Sequence, residues 1–152
     1  MGRAMFYHLT RSPAEDVLPQ LIARARGAGW RIELRGTDAG RMARLDEMLW
    51  QGDGFLPHGL AGGPHDARQP VLLTVAGQTE VSALDAPVCL MTLDGADMTV
   101  EECQGMERAC ILFDGGDNAA MARARDQWKV LTGAGIESEY WSEEGGRWER
   151  KR

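Results

Sequence analysis

Cysteine is scarce in this chain of 152 residues. The three present, Cys89, Cys103 and Cys110, are odd in number and have no metal-ligand spacing. That excludes a disulfide scaffold and a zinc site, and leaves unbridged thiols of a reducing compartment. No stretch has the length and apolarity of a signal peptide or membrane span, so a cytoplasmic protein is expected. A basic excess is also missing. Seventeen Lys and Arg stand against 23 Asp and Glu, a net charge of −6, which excludes a duplex-DNA binder working through a broad basic surface. A local basic pocket stays compatible with that balance.

Glycine is absent where phosphate chemistry would need it. The turn after the first strand reads Thr10-Arg11-Ser12-Pro13, and the proline removes an amide that could face an anion. Neither GxxxxGK[ST] nor GxGxxG occurs. Gly115-Gly116 precedes a helix, but Asp114 and Asp117 beside it would repel an anion. His8 sits within a strand. His58 and His65 share a loop without a carboxylate or cysteine at ligand spacing, so a role in loop conformation or at an interface is expected. Ser12 reads as a helix cap, and Glu101-Glu102 and Glu143-Glu144 as solvated faces. No catalytic, cofactor or metal residue is expected.

What is present suffices for one domain. A hydrophobic fraction of 43% with 26% charged residues can bury a core of ordinary size without staples. Strands are predicted over 4–9, 30–34, 71–74, 88–93, 109–113 and 136–141. A helix follows Ser12-Pro13-Ala14-Glu15, read as cap, first-turn proline and capping box. Ala14, Leu18, Leu21, Ile22 and Ala25 share its inner face. A second helix, capped by Thr37 or Asp38, runs to about Trp50 on a Met42, Leu45 and Leu49 stripe; residues 51–70 form a long loop. A brief helix is predicted near 101–106, and a third long one from Asp117 or Asn118 to near Gly133 or Gly135. Alternating strands and helices argue for an α/β fold, a single-domain Rossmann-like open, mostly parallel sheet with helices on both faces. The domain is assigned to 1–141, and residues 142–152 are read as a flexible charged tail.

Two segments go beyond scaffold. In the third long helix, Ala120, Ala124 and Leu131 point to the core, Met121 and Trp128 lie at the edge of that face, and Arg125 and Lys129 stand beside them on neighbouring turns. One reading is an ordinary amphipathic helix with solvated cations. The other is a site for an acidic peptide with an apolar tip, carboxylates on the cations and side chain beside the tryptophan. The second segment is Trp50, off its helix's apolar stripe, followed by Phe55, Pro57 and His58. Either these rings cap the domain's own core or they form a protein-facing surface.

The chain resembles the chi subunit of the bacterial DNA polymerase III holoenzyme. The resemblance rests on Arg44-Leu45-Asp46-Glu47-Met48-Leu49-Trp50, Phe55-Leu56-Pro57-His58 with Leu60-Ala61-Gly62, Phe6-Tyr7-His8-Leu9, and Ala124-Arg125-Asp126-Gln127-Trp128-Lys129 with Ala134-Gly135-Ile136. It spans nearly the whole chain and implies a Rossmann-like domain without nucleotide site or catalysis, an adaptor in the clamp-loader assembly. Carried over, Trp50, Phe55, Pro57 and His58 would face the psi subunit. Arg125, Trp128, Lys129 and Met121 would line a pocket for the acidic C-terminal tail of single-stranded DNA-binding protein. Two positions depart from the family pattern. Met121 replaces a further basic residue, and Phe113-Asp114-Gly115-Gly116 replaces a more apolar segment at the pocket's far wall. The competing reading is a small nucleotide-binding enzyme on the same fold.

Overall fold

A computed structural model describes residues 2–51, 58–61, 69–76 and 89–152. In chain order the elements are β1 (Arg3–Leu9), α1 (Ala14–Gly27), β2 (Ile32–Gly36), α2 (Ala39–Gln51), β3 (Gly59–Leu60) and β4 (Val71–Val75). They continue with β5 (Cys89–Thr92), α3 (Val100–Gln104), β6 (Arg108–Asp114), α4 (Asn118–Gly133), β7 (Glu137–Ser142) and β8 (Glu149–Arg150). Among the described residues the sheet order is β3-β4-β2-β5-β6-β1-β7-β8, parallel throughout except for the antiparallel β7–β8 pair. The α/β reading of the sequence holds.

Alternation along the strands builds two cores. Met5 and Leu9 of β1, Ile32 and Leu34 of β2 and Leu73 of β4 meet Leu18 and Ile22 of α1 and Met42, Leu45 and Leu49 of α2 on one face. Ala4 and Phe6 of β1 and Ile111 and Phe113 of β6 meet Ala120, Ala124 and Leu131 of α4 on the other. Central parallel strands are covered on both faces, so their solvent face vanishes. All five residues of β2 are buried for this reason, including Glu33 and Arg35. Arg35 Nε donates to Glu33 Oε2 at 2.8 Å, and its other nitrogens reach Glu102 and the Asp97 carbonyl. Thr74 donates to the same Glu33 oxygen at 2.9 Å. Glu102 also completes a capping box with Thr99 at the start of α3.

The predicted start of α1 is corrected. Pro13, not Ser12, is the N-cap residue, and no side chain caps the helix. Ser12 instead donates its hydroxyl to Glu143 at 3.0 Å, and Glu15 pairs with Arg41 at 2.8 Å. A carboxylate from more than a hundred residues away competes with the local capping pattern and wins. Asp38 and Asp117 do cap α2 and α4, accepting from the Arg41 and Ala120 amides.

The segment after Trp141 returns to the sheet. Its turn includes Gly146 at φ +91°, and β8 then pairs back onto β7. Trp148 sets its ring edge-on to Tyr7 at 5.6 Å. Glu143 is buried, and Glu102 is held by Arg35, so neither belongs to a solvated face.

Candidate functional site

The helical spacing of α4 and the strand register of β1, β6 and β7 converge on one hollow. It has a volume of about 450 Å³ and is lined by Phe6, Phe113, Met121, Ala124, Arg125, Trp128, Lys129, Tyr140, Lys151 and Arg152. Small residues on α4 make it possible. Ala120 and Ala124 let the helix approach the sheet, while Trp128, one turn beyond Ala124, stands over the strand carrying Phe6.

The floor is aromatic and rigid. Trp128 meets Phe6 edge-on at 5.2 Å and Tyr140 at 6.2 Å. His8 stacks on Phe113 at 5.0 Å, and its Nδ1 shares a hydrogen bond with the Tyr140 hydroxyl at 2.8 Å. Burial and nearby Glu144 push the Tyr140 hydroxyl up, against the pull of Arg125 and Arg152, which keeps it neutral.

The rim is cationic in an acidic protein. Arg125 and Lys129 come from α4, as their spacing predicts, and both are exposed. Lys151 and Arg152 join them from beyond β8, through backbone bonds to Tyr140. Lys151 pairs with Glu149 at 3.5 Å. Arg125, Lys129 and Arg152 make no ion pair among the described residues. All four sequence-predicted pocket residues therefore meet in one place. Phe6, Tyr140, Lys151 and Arg152 were missed. The last two carried no local signal, since only the reversal at Gly146 brings them here. Phe113 forms a wall despite the Asp-Gly-Gly that follows it.

The second predicted patch divides. Trp50 is 50% exposed at the end of α2. His58 is buried, so it is not a surface contact. Its ring lies against Trp50, centroids 4.2 Å apart and planes tilted by 35°, and its Nε2 donates to the Asp46 carbonyl at 2.9 Å. Leu60, on β3 beside α2, is 40% exposed. Phe55 and Pro57 lie outside the described residues.

The crevice at the carboxyl ends of the strands, where this architecture usually takes nucleotides, has a different character. It is lined by Glu15, Asp94, Asp114 and Asp117 with Arg41 as counterweight, and Arg41 is already paired with Glu15 and Asp94. Burial raises the Asp94 carboxyl, against the pull of Arg41. The amides of the β1–α1 turn are taken as well. Glu143 Oε1 accepts from the Thr10, Arg11 and Ser12 amides at 3.1, 2.8 and 2.7 Å. A phosphate there would have to displace the chain's own carboxylate.

Fold and hollow together define a Rossmann-like α/β domain whose apolar, cation-rimmed site lies along a helix–sheet edge, apart from the strand-end crevice. The chain belongs to the DNA polymerase III chi subunit family (HolC), whose model matches residues 1–139. It is an accessory subunit of DNA polymerase III. A search among curated proteins finds no match. No helix among the described residues is long and apolar enough to cross a membrane.

Proposed function

We propose that this chain is a non-catalytic adaptor of the clamp-loader assembly, binding the acidic C-terminal tail of single-stranded DNA-binding protein and the psi subunit. The hollow beside α4 carries the reading. Its floor of Phe6, Phe113, Trp128 and Tyr140 suits one apolar side chain, and its rim of Arg125, Lys129 and Arg152 lacks carboxylate partners among the described residues. A peptide ending in an apolar residue after several acids satisfies both parts at once. The psi-facing role of Trp50 is supported by its exposure at the end of α2, with His58 fixing the ring from beneath. A rigid, half-exposed tryptophan contributes large contact area with little loss of side-chain freedom. Linking the two partners raises the effective concentration of polymerase at coated single strands.

Titration calorimetry with a synthetic acidic peptide, with and without a terminal phenylalanine, tests the reading. Arg125→Ala is expected to cost about 1–3 kcal/mol of binding, the loss of a charged hydrogen-bond donor. Added salt should weaken binding by the unaltered chain. Unchanged affinity in a folded Arg125→Ala protein refutes the assignment.

A further inference from the structure

The family match ends at residue 139, yet two of the four rim cations lie beyond it, at Lys151 and Arg152. What holds them is therefore a question about this chain. The β7–β8 ladder proper pairs only Trp141 with Arg150 and Ser142 with Glu149. A two-residue edge ladder does not hold a segment in place unaided.

Glu143 supplies the missing attachment. Its side chain is buried and accepts four hydrogen bonds, three from successive amides of the β1–α1 turn and one from the Ser12 hydroxyl. Arg11 Nε adds a bond to the Glu144 carbonyl at 3.3 Å. The Gly146 amide donates back to the Glu143 carbonyl at 2.9 Å, closing the reversal that turns the chain toward Tyr140. Trp148 lies against Tyr7, and the Lys151 amide then donates to the Tyr140 carbonyl at 2.6 Å. One buried carboxylate thus begins a strap whose far end forms part of the hollow's rim.

We propose that Glu143 is a positioning residue for the hollow: by clasping the β1–α1 turn it fixes the strap 143–152, and so sets Lys151 and Arg152 as a second pair of cations for an acidic peptide. The proposal rests on the peptide-binding reading above. Cations already held by an ordered backbone lose less freedom on binding than cations on a loose tail.

The test is fluorescence anisotropy with a labelled peptide of aspartates ending in phenylalanine, at low salt, with amide hydrogen exchange followed at Lys151. Lys151→Ala with Arg152→Ala is expected to weaken binding about 3- to 10-fold, as for two exposed charge pairs. Glu143→Gln should produce a loss of the same size and speed exchange at Lys151. The triple variant should bind no more weakly than the double, because latch and cations act through one path. If Glu143→Gln does not fold, a chain lacking residues 150–152 carries the binding arm, with the same loss expected. Failure of the unaltered chain to bind the peptide removes the peptide reading and this proposal together. Binding by the unaltered chain, with affinity unchanged in folded Glu143→Gln or in the chain lacking 150–152, overturns this proposal alone. Additive losses in the triple variant overturn it as well.

Discussion

A methyl group at position 115 would sit 2.5 Å from Nε2 of His8. That ring cannot swing away cheaply, because it is stacked on Phe113 and bonded to Tyr140. Glycine at 115 is thus a requirement of the aromatic floor, not of phosphate binding. Gly115→Ala is expected to lower stability by about 1–3 kcal/mol through overpacking, measurable by urea denaturation, and to weaken peptide binding alongside. Arg35 is the other residue on which much depends. Burial works against its charge, but Glu102 and Glu33 more than offset that and hold the guanidinium above its ordinary range. Arg35→Met would leave Glu33 in the core without its cation. A loss of about 3–5 kcal/mol is expected in the denaturation midpoint series. Neither role is visible locally. His8 and Gly115 are far apart in sequence, and Glu33 and Arg35 read as the outward residues of an alternating strand until helix and sheet cover both faces.

Among the elements, α2 and α4 were legible and α1 only in part. Met42, Leu45 and Leu49 repeat at helical spacing, and all three are buried. In α4 the same arithmetic placed Arg125, Trp128 and Lys129 on one edge, where the hollow lies. These predictions hold because side-chain direction in a helix follows from its period alone. The α1 capping box failed because its serine had a stronger distant partner. Inside α1, Pro19 is exposed and cannot donate to the Glu15 carbonyl one turn back. Pro19→Ala is expected to raise stability by about 1–3 kcal/mol, seen as a higher melting temperature. No change would mean that the helix's tertiary packing already absorbs the defect.

The whole molecule joins its ends through carboxylates. Burial opposes the charge on Glu143, but the Ser12, Arg11 and Thr10 amides and the Ser12 hydroxyl outweigh it and hold the group below the ordinary glutamate range. Glu102, opposed by its own burial but favoured by Arg35 and Thr99, is lowered too. Groups lowered on folding take up protons more readily in the unfolded chain. Their stabilisation is complete above the ordinary range and is lost as pH falls through their folded values. Asp94, raised chiefly by burial, acts oppositely, its ionisation costing stability as pH rises. Glu143→Gln should therefore be markedly less stable than the unaltered chain at neutral pH, with the gap narrowing in acid. Denaturant titrations of both proteins at neutral and acid pH measure that gap; a gap independent of pH would contradict the account.

Sequence alone determined what depends on short-range periodicity. It settled the alternation of strands and helices, the inner faces of α2 and α4, the convergence of Arg125, Trp128, Lys129 and Met121, and the family through its blocks of residues. Only the tertiary structure decided what depends on partners distant along the chain. It buried His58 beneath Trp50 and Glu33 beside Arg35. It seated Glu143 on the first turn and brought Lys151 and Arg152 to the hollow. The division has one physical cause. A helix or strand repeats its geometry every few residues and writes it into the local pattern, whereas a buried charge is stable only beside a partner whose position the whole fold must supply.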